Sequence, residues 1–139
     1  MEGMKRRVVV TGLGLITPLG TGTQKTWEGI RKGASGVDRI TSFDTSDSPV
    51  QIAGEVKDFN PEDFIERKEI KKMDVFIQYA LSAGSMAIEN AGMKITEANA
   101  DRVGVIVGAG IGGIQNIERY HSVLLENGQR RISPFFIPM

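Results

Sequence analysis

The feature that most limits how this chain can fold is a junction. Arg102-Val103-Gly104-Val105-Ile106-Val107 runs directly into Gly108-Ala109-Gly110-Ile111-Gly112-Gly113, and a helix-periodic stretch from Ile114 to Leu125 follows. A β-branched apolar run, clustered glycines and then helical periodicity predict a buried strand, a tight turn and a helix N-terminus. Something binds close to that backbone, or another backbone packs on it. Against this stands a negative fact: the 139 residues include one His and no Cys. No disulfide framework and no thiolate metal site can form, and His121 alone cannot supply a ligand set.

The length is one domain's worth, enough to bury a core without disulfides or metal. Seventeen Lys and Arg balance seventeen Asp and Glu, so bulk attraction to nucleic acid is not indicated. Lys5-Arg6-Arg7 ahead of the apolar text from Val8 to Ile16 copies the opening of a signal peptide. The glycines, Thr17-Pro18 and the lack of a small-x-small cleavage pattern point instead to a first strand, Arg6 to Thr11, in a cytoplasmic protein. No apolar run approaches the ~20 residues that a membrane helix needs.

Gly12, Gly14, Pro18, Gly20 and Gly22 predict an irregular loop, after which Thr23 caps a helix running through Trp27 and Ile30 to Gly33. Ala34 to Ser48 reads as an ordered surface loop, and Gln51 to Val56 as a short edge strand. Asn60-Pro61 opens a charged helix ending near Lys72. The longest predicted helix is Asp74 to Ala91. Phe76, Tyr79, Ala80, Ala83, Ala87 and Ala91 form one stripe, while Ile77, Leu81 and Ile88 form a second, so it is buried on most sides and its alanines admit neighbouring backbones. Gly92 closes it, and Thr96 to Ala100 is one capped turn. The closing text from Ile132 to Met139 is apolar. Each of Phe135, Phe136 and Ile137 would gain about 1.5–3 kcal/mol by full burial, so either a partner covers them or the chain is a fragment.

Gly108, Gly110 and Gly113 match G-x-G-x-x-G, in which a helix N-terminus receives a pyrophosphate. A nicotinamide-dependent oxidoreductase is therefore one reading. Against it, an acidic residue is expected about twenty positions on, at the end of a second strand, where this chain has Gln129 to Ser133 and no strand signal.

Taken together, several segments resemble the N-terminal third of a β-ketoacyl-acyl carrier protein synthase of the synthase II type. They are Val8-Val9-Val10-Thr11-Gly12-Leu13-Gly14, Phe59-Asn60, Arg67-Lys68-Glu69, Lys72-Met73-Asp74, Gly108 to Gly113 and Ile132-Ser133-Pro134-Phe135-Phe136-Ile137-Pro138. The resemblance covers essentially residues 1–139, in order, as a partial N-terminal ketoacyl synthase domain with the remainder absent. It implies an α/β chain of the thiolase-like αβαβα fold and a decarboxylative Claisen condensation in fatty-acid synthesis. In that chemistry a cysteine thiolate takes the acyl group from acyl carrier protein, the carbanion of decarboxylated malonyl-carrier protein is joined to it, and two histidines stabilise charge on the thioester oxygen. By the resemblance those residues lie downstream, which leaves this stretch with no catalytic residue and inactive alone. His121 falls where the family has none and reads as a solvated helix-surface side chain.

What the resemblance assigns here is binding. Ile111 matches the residue that gates the acyl pocket, and Phe136 with Ile137 match residues lining its far end across a homodimer interface; plain core packing is the alternative. Lys68, Lys71 and Lys72, with Arg130 and Arg131, match positions that dock the acidic acyl carrier protein. As i,i+4 pairs on one helix, Lys68 with Lys72 and Arg67 with Lys71 would repel mildly, which a purely structural helix has no reason to prefer; a solvated charged face is the alternative. The family reading calls for no cofactor, no metal, no nucleic acid and no membrane. A non-catalytic carrier-protein-binding module, complete at this length, is the remaining reading.

Overall fold

A computed structural model describes residues 6–139; Lys5, part of the basic run considered above, lies outside the described residues. Its elements follow in chain order. A two-residue strand β1 (Ile16–Thr17) turns into β2 (Gly20–Thr21), helix α1 (Thr23–Arg31) follows, and β3 (Val37–Arg39) pairs with β4 (Ile52–Gly54). A 3-10 turn over Pro61–Asp63 leads to the short helix α2 (Arg67–Ile70), then to α3 (Val75–Asn90) and, after another 3-10 turn at Ala100–Arg102, to α4 (Ile114–Asn127). Both strand pairs are antiparallel, with Ile16 opposite Thr21 in the first and Asp38 opposite Ala53 in the second. No helix among the described residues is long and apolar enough to cross a membrane.

The two apolar runs predicted as strands, Arg6 to Thr11 and Arg102 to Val107, carry no ladder. The reason is physical: a strand is defined by a hydrogen-bonded neighbour, and among the described residues neither run has one. Their side chains stand in the open, Val8 93% and Ile106 99% exposed. The segment read as loop, Ala34 to Ser48, contains β3, which supplies the partner that makes β4 a ribbon. Asp38 and Arg39 hid that strand, since both its residues and those of its neighbour are largely exposed.

Helix boundaries follow local chemistry. Thr23 is not the cap of α1: Gly22, at φ 100°, takes that position, and the Thr23 hydroxyl donates to the Leu13 carbonyl at 3.2 Å. Asn60 does cap, its side chain accepting from the Glu62 N–H ahead of Pro61. The charged helix expected from there to Lys72 breaks in two, because the 3-10 turn ends at Phe64 and α2 is only four residues long. Asp74 caps α3, and Gly92 leaves it at φ +60°, a left-handed conformation suited to glycine.

The expectation that α3 is buried on most sides holds in part: Gln78 and Ser82 are buried on one face, and a second flank receives the glycines near the start of the chain. There the backbone of residues 12–14 lies directly on the alanine stripe. A Cβ on Gly12 would stand 2.7 Å from the Ala91 nitrogen and one on Gly14 2.7 Å from the Ala87 nitrogen, with the Ala87 and Ala83 carbonyls nearer still. The Leu13 N–H completes the contact by donating to Asn90 Oδ1 at 3.0 Å. Elsewhere Val75 and Leu81 are half-exposed, and the buried side chains among the described residues are polar: Thr26, Asp74, Gln78 and Ser82. Around Phe59 a small aromatic cluster forms, stacked on Phe64 at 6.1 Å and edge-on to Tyr79 at 5.0 Å. No apolar side chain among the described residues reaches full burial.

Candidate functional site

The glycine turn and the closing segment meet at the N-termini of α3 and α4. Gly112 adopts φ +71°, and the Phe76 ring lies 3.5 Å from where a Cβ on it would stand. Gly113, the cap position of α4, is pressed against Asp74, whose Oδ2 would be 2.6 Å from a Cβ there. That oxygen accepts from Asn116 Nδ2 at 2.7 Å, and Oδ1 accepts from the Val75 N–H at 2.5 Å. A carboxylate therefore occupies the place at the α4 N-terminus where a dinucleotide's pyrophosphate would have to sit, and two anions there would repel. This geometry, with no parallel βαβ unit among the described residues, argues against the nicotinamide reading.

Gly108 and Gly110 face open space, where a Cβ would meet nothing within 4 Å. Ile111 projects from this turn, 76% exposed, so core packing within this chain does not account for it. The structure separates it from its expected companions to a degree. Phe136 and Ile137 share a hollow of about 230 Å³ with Gly113, Asn116 and Ile117, to which Ile111 does not contribute. Phe136 is anchored edge-on to Tyr120 of α4 at 5.1 Å, whereas Ile137 is 88% exposed. Ile137 also borders a larger apolar groove of about 730 Å³ along α3, between Phe76, Ala80 and Ile88 on the helix and Val105 and Val107 opposite.

The basic residues are arranged differently from the expectation. With α2 only four residues long, Lys71 is its C-terminal cap and Lys72 lies beyond it, so the four cations do not share one helix face. Lys68 pairs with Glu66 at 2.7 Å, Lys72 with Glu69 at 2.7 Å and Arg67 with Glu62 at 3.4 Å. The bond from Lys72 is what holds the Glu69 carboxyl below its ordinary range. Lys71, Arg130 and Arg131 enter no ion pair among the described residues. The α2 turn and the closing segment do adjoin: Lys72 Nζ lies 5.8 Å from the centre of the Phe135 ring. His121 is exposed on α4, and no three His, Cys, Asp or Glu side chains among the described residues gather into a metal-holding set.

Two features escaped the sequence. An Asp before an apolar helix signals a cap, but nothing marked Asn116 as its second partner. Glu55 likewise accepts four hydrogen bonds, from the amides and hydroxyls of Thr41 and Ser42, at 2.6 to 3.1 Å. The Ser42 hydroxyl first, then the Thr41 amide and hydroxyl, hold its carboxyl down to about 2.

Against known proteins, residues 5–139 match the family described as beta-ketoacyl synthase, N-terminal domain. The 3-oxoacyl-[acyl-carrier-protein] synthase 2 of Vibrio harveyi is 47% identical over 134 residues, and that of Coxiella burnetii 51%, each alignment covering 96% of this chain and 32% of the relative. The chain thus spans about a third of the length of these relatives. Among solved structures, the ishigamide ketosynthase/chain length factor is similar at TM-score 0.75 and 33% identity, over 96% of this chain and 33% of that one. A type II polyketide ketosynthase in complex with its acyl-carrier protein is similar at TM-score 0.75 and 25% identity, over 96% and 34%. The neighbours are ketosynthases of the thiolase-like α/β fold, of which this chain covers an N-terminal part. The chain belongs to the β-ketoacyl synthase family, whose N-terminal domain it matches from residue 5 to residue 139.

Proposed function

We propose that this chain is the N-terminal third of a 3-oxoacyl-acyl carrier protein synthase, a cytoplasmic homodimer that condenses malonyl-carrier protein with an acyl thioester. The observation that carries this reading is the continuous alignment to synthase 2 relatives at 47–51% identity over 96% of the chain. In the reaction a cysteine thiolate displaces the carrier thiol from the acyl thioester, malonyl-carrier protein loses CO2, and the resulting carbanion attacks the acyl carbon and expels the cysteine. That cysteine comes from outside these residues, since the chain has none. This part contributes pocket and docking surface. Ile111 gates the acyl pocket, and Phe136 and Ile137 line its far end from the partner subunit, a role that the exposure of Ile111 and Ile137 supports.

Lys68, Lys71, Lys72, Arg130 and Arg131 meet acidic acyl carrier protein, with Lys71, Arg130 and Arg131, which enter no ion pair among the described residues, carrying most of the attraction. Charge complementarity of this kind chiefly speeds encounter. The polyketide ketosynthase captured with its carrier protein supports docking on this family's surface. The test is CO2 release from malonyl-carrier protein by the full-length protein containing this segment. Release that depends on an acyl-carrier protein is expected. A full-length, folded protein that releases none would overturn the reading.

A further inference from the structure

Asp74 is an unusual carboxylate: 6% exposed, yet in no ion pair among the described residues. What offsets its charge is position. It caps α3 through the Val75 N–H and lies against Gly113 at the start of α4, so the positive ends of two helix dipoles face it. Its second oxygen is held by Asn116 in the first turn of α4. Gly113 has no side chain to push it away, and Phe76, two residues further along the chain, supports Gly112. The first turn of α3 therefore grips the glycine turn at two consecutive residues, and Ile111 is the next residue out. The turn before it has no such hold, Gly108 and Gly110 facing open space.

We propose that Asp74 is a positioning residue: with Asn116 it locks the end of the glycine turn onto α3 and so fixes where Ile111 stands, tuning acyl-chain-length selectivity. This rests on the acyl-pocket reading of Ile111 given above. Nothing in the bond requires a substrate, so the lock exists before the acyl chain arrives. A hydrogen bond to a charged group is strong enough that its loss should raise local opening roughly tenfold or more.

The experiment uses the full-length protein with Asn116→Ala, which removes the cross-link and leaves the α3 cap in place. Amide hydrogen exchange of Ile111, Gly112 and Gly113 is expected to rise roughly tenfold, and the product chain-length distribution to broaden, with the KM for malonyl-carrier protein unchanged. The paired exchange Asp74→Asn with Asn116→Asp moves the carboxylate to α4 and the amide to α3, and should restore both readouts. Ile111→Phe is made in parallel. If Asn116→Ala leaves exchange unchanged, or if Ile111→Phe alters chain length while Asn116→Ala does not, the positioning role is overturned. If exchange rises but neither variant alters chain length, the pocket reading of Ile111 has failed and the selectivity role falls with it. Should Asn116→Ala fold poorly, Asn116→Ser serves, with the same expectations.

Discussion

Ile106→Lys should act with opposite sign in two settings. In the 139-residue chain Ile106 is 99% exposed, so the substitution removes no packing and changes stability by no more than about 0.5 kcal/mol. Its effect there is on association. Val8, Val105, Ile106, Ile111 and Ile137 are each at least three-quarters exposed, and their full burial would be worth about 7–15 kcal/mol together. That equals the whole stability of a typical domain, about 5–15 kcal/mol, so the isolated chain should self-associate, bind a hydrophobic dye and melt without cooperativity. The introduced ammonium would interrupt that surface and raise the soluble fraction in light scattering. In the full-length synthase proposed above, the same position would lie in a β-branched run covered by further layers. There the change forfeits about 1.5–3 kcal/mol of burial and strands an unpaired ammonium, for a loss above about 4 kcal/mol in denaturant titration. Equal effects in both settings, or an isolated chain that is a sharp, cooperatively melting monomer, would refute the reasoning and favour a self-contained carrier-binding module.

Ile111→Phe in the full-length enzyme should shift products toward shorter acyl chains, since the added ring must displace the chain or strain its neighbours by ~1–3 kcal/mol; an unchanged product distribution by mass spectrometry returns Ile111 to packing. Reversing Lys71 and Arg131 to Glu should raise the KM for acyl carrier protein more than reversing Lys68 and Lys72, whose charges are already met by Glu66 and Glu69. The effect should fade as salt shortens the Debye length from ~10 Å at 0.1 M to ~3 Å at 1 M, and a small acyl thioester should be used as before; equal damage to both substrates removes the docking role. Glu55 is held down to about 2 from an ordinary 4.5, so its grip on Thr41 and Ser42 is fully present above pH 4.5 and lost as pH falls through about 2. Its carboxyl resonance should titrate with a midpoint near 2, and Glu55→Gln should remove the pH dependence of the loop; an ordinary midpoint would show the loop is not held.

Helices were legible in this sequence where both a cap and a period were present. Asp74 with its alternating stripes, and Asn60 with Pro61, placed the starts of their elements to within a residue or two. Strands were legible only in part, because a strand depends on a neighbour: Gln51 to Val56 does contain the paired strand Ile52–Gly54. Val103 to Val107, β-branched but for Gly104, reads as a buried strand and yet has no ladder here, while Val37–Arg39, with two charged residues, pairs because Ile52–Gly54 lies beside it. The candidate site was legible in one dimension only. The glycine turn and the apolar tail could be named, but the hydrogen bond that joins Asp74 to Asn116 spans 42 positions, and no local pattern announces a contact at that distance. Arg67 to Lys72 read as one helix face, but α2 ends at Ile70, and the pairing of Arg67 with Glu62 is not legible because it spans the break between the 3-10 turn and α2.

The seat that Ala83, Ala87 and Ala91 provide for Gly12 and Gly14 sets a timetable for synthesis. Leu13 finds Asn90 across 77 positions, and a ribosome adding about 5–20 residues per second needs roughly 4–15 s to cover that interval. Throughout it Gly12 and Gly14 have no helix to dock on, and the neighbouring Val8, Val9 and Val10, exposed even in the folded chain, are a β-branched run suited to pairing with any other exposed strand. The seat is also demanding once made. It accepts backbone only, so no side chain at residue 12 or 14 can hasten docking by adding grip. The length of the wait is written into the spacing between two glycines and three alanines.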